Sequence, residues 1–137
     1  MPQYTVDERK WEDFKVQRDQ VTSVSTQPKG NVEEPFTRID VATAQRMIAN
    51  REVRVIDVRE PGEYAEGHLP GVKLIPLNTL MAQPHKYLTE DNVLFVCQMG
   101  SRSAVACEMA AAVGLEHIYN LEGGTSAWTK AGLPIDK

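Results

Sequence analysis

A chain of 137 residues, 42% hydrophobic and 25% charged, is long enough for one globular domain with room for an appendage. A formal net charge of −4 argues against broad binding to nucleic acid or to an anionic membrane surface. No run approaches the ~20 apolar residues a membrane span needs, and two cysteines do not make a secreted disulfide framework. The first residues, Met1-Pro2-Gln3-Tyr4, do not read as a signal peptide. A reducing cytoplasm is therefore the expected compartment, and it would keep a working thiol reduced.

Residues 1–35 read as an N-terminal extension. Positions 7–20 can form a helix with Trp11, Phe14 and Val21 near one face, and positions 22–35 have the Ser, Thr, Gln, Pro and Gly content of a linker. The domain proper is expected over 36–137. Phe36 to Ile39 reads as a short edge strand, and Asp40 as the N-cap of a helix from Val41 to Ala49 whose apolar face is Ala44, Met47 and Ile48. Val53 to Val58 is a second strand, after which Pro61 can open a short helix. The turn-rich Gly67-His68-Leu69-Pro70-Gly71 leads to a third strand, Val72 to Ile75. From Pro76 to Asn92 the pattern is irregular, with helical turns expected near 78–81 and 85–88.

Val93-Leu94-Phe95-Val96-Cys97 is a buried strand by composition. An alanine-rich helix is expected from about Arg102, with Gly114 at its end. A fifth strand, His117 to Leu121, precedes Gly123-Gly124 and a last short helix ending at Gly132. Short strands alternating with helices imply an α/β fold: a parallel sheet covered on both faces, with ligands at the carboxyl ends of its strands.

The chemistry concentrates in the loop Cys97-Gln98-Met99-Gly100-Ser101-Arg102-Ser103. The thiolate is the nucleophile, and an unperturbed cysteine with a pKa of about 8.5 is mostly protonated at neutral pH. A downward shift of ~2 units, worth about 2.7 kcal/mol, would reverse that. Loop amides can converge on the sulfur, Gly100 can adopt the required conformation, and Arg102 brings a permanent charge. Ser101 and Ser103 offer hydroxyls. The plainer reading, a small buried residue ending a strand, fits poorly with the Gly100-Ser101-Arg102 run.

Asp57 and Arg59 should reach the same rim, either orienting the loop or binding substrate, or forming a fixed salt bridge, which is the preferred reading. His68 sits in a structural turn rather than in the position of a general base. Glu60 and Glu63 read as helix-start charges. Cys107 is expected to pack in the core on the helix face of Ala104 and Ala111 rather than to resolve a disulfide with Cys97, and Trp128 to anchor the core. No cluster has zinc spacing and no phosphate loop is present, so neither a metal nor a cofactor is expected.

Four residues separate Cys97 from Arg102, a Cys-x4-Arg loop. The wider Cys-x5-Arg cradle of cysteine phosphatases and arsenate reductases accommodates a tetrahedral anion, whereas the tighter loop suits one extra sulfur atom. The segments Val55-Ile56-Asp57-Val58-Arg59-Glu60, Gly67 to Val72, Cys97 to Ser103 and Leu121 to Trp128 occur in the order and spacing of a rhodanese domain. From about Phe36 to Pro134 the chain resembles the single-domain thiosulfate sulfurtransferases. That resemblance implies five parallel strands and a Cys97 that takes a sulfane sulfur from thiosulfate or a similar small anionic donor. The Cys97 persulfide would pass the sulfur to cyanide, a thiol or a protein acceptor by double displacement. The alternative is a non-catalytic sulfur-carrier or redox-sensing module acting with a partner protein. Either fits a monomer or a homodimer.

Overall fold

Five strands form one sheet in the computed structural model, which describes residues 34–137. The expected helix at 7–20 and nearly all of the linker lie outside the described residues. In chain order the strands are β1 (Thr37–Ile39), β2 (Arg54–Asp57), β3 (Lys73–Leu74), β4 (Val93–Val96) and β5 (Ile118–Leu121). Their spatial order is β1-β5-β4-β2-β3, and every neighbouring pair is parallel. Parallel pairing requires a crossover after each strand. The helices that supply these crossovers are α1 (Val41–Ala49), α2 (Pro61–Glu66), α3 (Leu77–Ala82), α4 (Pro84–Tyr87) and α5 (Ser101–Ala112). A final helix, α6 (Gly124–Lys130), follows β5.

Alternation along β4 builds two cores. Val93, Phe95 and Cys97 face one cluster with Ala106, Cys107 and Ala110 of α5 and Leu80 of α3. Leu94 and Val96 face the other, with Ala44 and Met47 of α1 and Trp128 of α6. All four residues of β4 are fully buried, as a strand covered on both faces must be. The Asp40 side chain caps α1 by accepting the Thr43 amide at 2.9 Å. The Trp128 indole donates to the Pro134 carbonyl at 2.7 Å, tying the C-terminal segment to α6.

The strand order places the site. After β2 the chain moves outward to β3, and after β4 it moves the other way to β5. Neighbouring strands whose connections diverge leave a crevice at their carboxyl ends. Asp57 pairs in register with Val96, so β2 and β4 finish level and Arg59 and Cys97 emerge on the same rim. Tyr64 of α2 packs on one face of the sheet and α5 on the other. The two helices that follow β2 and β4 thus diverge around the crevice.

Two details differ from the pattern. Helix α5 starts at Ser101, one residue before Arg102, because the left-handed conformation of Gly100 (φ 111°) turns the chain directly into the helix. Its buried face is Ser103, Ala106, Cys107 and Ala110, while Ala104 and Ala111 are only half-buried.

Candidate active site

Cys97 follows the last residue of β4, where the strand leaves the sheet, and is 1% exposed. Gly100 provides no side-chain cap for α5, so the first amides of the helix lack the usual partner and are free to serve the sulfur. The Gly100 amide donates to Sγ at 3.1 Å, and the Ser103 hydroxyl approaches Sγ at 3.4 Å. Burial pushes the Cys97 thiol up. The Ser103 hydroxyl and the amides of Ser103, Gly100 and Met99 outweigh it together, leaving the thiol below its ordinary value. A thiolate is the form such a ring of donors stabilises.

The loop carbonyls are held elsewhere. Cys97 O accepts the Thr125 amide at 2.8 Å and the Thr125 hydroxyl at 3.1 Å, and Gln98 O accepts the Ser126 amide at 3.0 Å. Asn120, fully buried on β5, donates to Gly100 O at 3.2 Å. These contacts bring the start of α6 against the loop. A Cβ on Gly124 would lie 2.4 Å from the Cys97 carbonyl oxygen and 2.6 Å from the Gln98 carbonyl group, so only glycine permits this approach.

Two arginine–carboxylate pairs flank the sulfur. Arg59 makes a forked contact with Asp57, with Nε 3.0 Å from both carboxylate oxygens and Nη2 2.8 Å from Oδ2. Nη2 also donates to Gly67 O at 2.7 Å, and Nη1 donates to the Gln98 side-chain oxygen at 3.0 Å. Arg102 forks onto Glu63 of α2, Nη1 to Oε1 at 2.8 Å and Nη2 to Oε2 at 2.9 Å. Glu63 Oε1 also accepts the Glu60 amide at 2.9 Å, closing a capping box at the start of α2. The Arg102 guanidinium and the Glu60 amide hold Glu63 down at about 2, and Glu63 in turn raises Arg102.

This geometry agrees with the comparisons. The model of the rhodanese-like domain matches residues 40–131. The chain belongs to the rhodanese-like domain family. It is similar to a sulfurtransferase from Allochromatium vinosum, 32% identical over 67% of this chain and 86% of that protein. It is also similar to the thiosulfate sulfurtransferase GlpE of Vibrio cholerae, 28% identical over 74% of this chain and 95% of the relative. Among solved structures, a Rhodopseudomonas palustris protein of unknown function described as a possible tyrosine phosphatase is 25% identical, with 99% of both chains covered and a TM-score of 0.65.

Within this rhodanese-like domain the residues singled out by sequence divide into three groups. Cys97, Gly100 and Ser103 converge, with the Met99 amide contributing and the Met99 side chain exposed. The Gln98 side chain is turned away from the sulfur towards Arg59, and Ser101 is exposed as the first residue of α5. Arg102 spends its forked contact on Glu63 rather than on the sulfur. Asp57 and Arg59 form the fixed salt bridge, which also positions Gln98 and the Gly67 turn. His68 is stacked on Tyr64 with ring centroids 3.7 Å apart, and its Nδ1 lies 2.8 Å from Tyr64 O. Cys107 is buried and donates to Tyr119 O at 3.4 Å, and neither cysteine is in a disulfide.

Glu63 is more than a helix-start charge. Its place near the start of α2 accounts for a helix-start charge, but nothing local signals a partner 39 residues away. Asn120, Gly124 and Thr125 were likewise not singled out as site residues. Gly123-Gly124 reads from sequence as a tight entry to the last helix, with nothing to mark its contact with the Cys97 loop.

At the opposite, amino-terminal rim, Asp91, Glu116 and His117 form a group of possible ligand atoms. Asp91 Oδ1 already accepts the Glu116 and His117 amides at 3.0 and 2.6 Å, and Oδ2 lies 2.8 Å from His117 Nδ1. These contacts knit the start of β4 to that of β5. Among the described residues no helix is long and apolar enough to cross a membrane.

Proposed function

We propose that this rhodanese-like domain is an enzyme of sulfur transfer, in which Cys97 takes the outer sulfur of thiosulfate or a chemically similar donor and passes it to an acceptor. The supporting observation is a buried sulfur ringed by the Gly100 amide and the Ser103 hydroxyl inside a Cys-x4-Arg loop. In the first step the Cys97 thiolate attacks the outer sulfur of the donor. The S–S bond of thiosulfate breaks, its electron pair leaves with sulfite, and Cys97 carries a persulfide anion. In the second step cyanide, a small thiol or a protein thiol attacks the terminal sulfur, and the Cys97 thiolate is the leaving group.

Both states carry one negative charge at nearly the same place, so one set of donors serves both. No group need change protonation at the sulfur, and no cofactor or metal enters the scheme. The tight loop around a sulfur with little exposed surface favours a reactant that presents a single terminal atom. The same tightness argues against phosphate-ester chemistry here, despite the description attached to the Rhodopseudomonas protein. A reducing cytoplasm suits the free thiol.

Incubation with thiosulfate followed by intact-protein mass spectrometry tests the reading. The expected product is heavier by one sulfur, is absent in Cys97→Ala, and reverts on addition of cyanide with formation of thiocyanate. Absence of the adduct with every sulfane donor would sink the proposal. An adduct that forms but is never turned over by any acceptor would identify a sulfur-carrier module instead.

A further inference from the structure

Arg102 is the loop cation that an anionic donor would meet, yet both of its terminal nitrogens are engaged by Glu63 at 2.8 and 2.9 Å. The two side chains are 35% and 34% exposed, so this pair borders solvent, unlike the sealed Arg59–Asp57 pair at 3% and 0%. Helix α2 contributes a second carboxylate, Glu66, and no basic residue. With the guanidinium neutralised by Glu63 and Arg59 neutralised by Asp57, the thiolate is the uncompensated charge among these five groups. A dianion approaching that thiolate is repelled unless it displaces Glu63 from Arg102 or shares the guanidinium with it. A singly charged or neutral sulfur carrier is repelled far less.

We propose that Glu63 sets the donor-charge preference of the Cys97 site, occupying Arg102 so that sulfane-sulfur carriers of low charge are favoured over dianions such as thiosulfate. The inference rests on the sulfurtransferase reading and narrows its substrate class. The lowered titration of Glu63 keeps the carboxylate charged throughout the working pH range. A unit charge a few ångströms away in a water-like medium changes the binding of each additional unit charge by about fivefold. That sets the scale of the effect, and added salt should shrink it.

Thiosulfate and methanethiosulfonate make the decisive pair. Both present an outer sulfur on a sulfonyl-type sulfur, but the first is a dianion and the second a monoanion. Attack by Cys97 breaks the same S–S bond in each, leaving sulfite or methanesulfinate and the same persulfide. Glu63→Gln removes the charge while its amide oxygen can still accept the Glu60 amide in the capping box. The ratio of kcat/KM for thiosulfate to that for methanethiosulfonate is expected to rise about threefold to tenfold in the variant, through KM for thiosulfate, and to approach the wild-type ratio in strong salt. The ratio is insensitive to the fraction of folded enzyme.

Alkylation of Cys97 by iodoacetate relative to iodoacetamide gives a second reading that needs no sulfur transfer, and the same substitution should raise it. An unchanged ratio in both assays, or a selective loss of thiosulfate activity, would overturn the proposal and leave Glu63 as a holder of Arg102 alone. Should the wild type take sulfur from neither donor, the sulfurtransferase reading fails, while the alkylation ratio still decides what Glu63 does to anions.

Discussion

The two forked arginine–carboxylate pairs beside Cys97 share their chemistry and differ in surroundings. Arg59–Asp57 is sealed at the end of β2, two residues apart in sequence, and its guanidinium also holds Gly67 O and Gln98. Arg102–Glu63 spans 39 residues, joins α5 to α2 across the crevice and borders solvent. A sealed pair cannot trade its partner without leaving a buried charge, so it acts as framework. A pair at the water boundary exchanges partners at low cost, so it can respond to a ligand. Sequence spacing does not separate the two roles; burial does.

The sharpest way to break this contrast is to remove one arginine from each pair. Arg59→Leu strips the buried Asp57 carboxyl of its guanidinium and leaves it only the residue-59 backbone amide, and should cost about 3–5 kcal/mol of stability in denaturant titration. Arg102→Leu should cost less than about 1 kcal/mol in the same titration, its effect falling instead on Cys97 reactivity. Equal losses would show that the two pairs are equivalent. Gly124→Ala tests the framework from the other side of the loop. Its Cβ meets the Cys97 and Gln98 backbone, which cannot rotate away, so a loss of about 1–3 kcal/mol and a slower Cys97 alkylation are expected.

Smaller effects sharpen the picture. Ser103→Ala removes a donor from Sγ and leaves its burial in place, so the midpoint of the pH profile for Cys97 alkylation should move upward. A midpoint unchanged by Ser103→Ala would assign the lowering to the amides alone. The least effect concerns Glu63, held at about 2 against an ordinary 4.5. A carboxyl held below its unfolded-state value stabilises the fold fully above about pH 4.5 and loses that contribution as pH falls towards 2. Subtracting the stability–pH curve of Glu63→Gln from that of the wild type should leave a small step confined to that window.

Much of this organisation is legible in the chain because it is locally encoded. Asp40 three residues before Thr43, Pro61 after Glu60 and the unbroken apolar run of β4 each specify their element through contacts within one turn or one strand. The Cys97 loop is legible for the same reason: its glycine, serines and arginine lie within seven residues of the thiol. What escapes is created by crossovers. Glu63 has a sufficient local role in the capping box, which hides its contact with Arg102. Asn120 looks like any strand residue until register sets it beside Phe95 and under the loop at Gly100. Gln98 has no local partner, and only the level ends of β2 and β4 bring Arg59 to it.

The latch between the start of α6 and the Cys97 loop reaches further than its three hydrogen bonds suggest. Thr125 and Ser126, the former 28 residues beyond Cys97, draw the carbonyls of Cys97 and Gln98 to their own side. The dipoles of the loop peptides are thereby aligned in advance, and little of the chain need reorient when charge arrives on sulfur. Much of the lowering of the Cys97 thiol is thus held in the main chain, beside the share that the Ser103 hydroxyl supplies. Substitutions scanned along Gln98 to Arg102 would therefore understate it, because the peptide units they leave untouched are aimed from the far end of the fold.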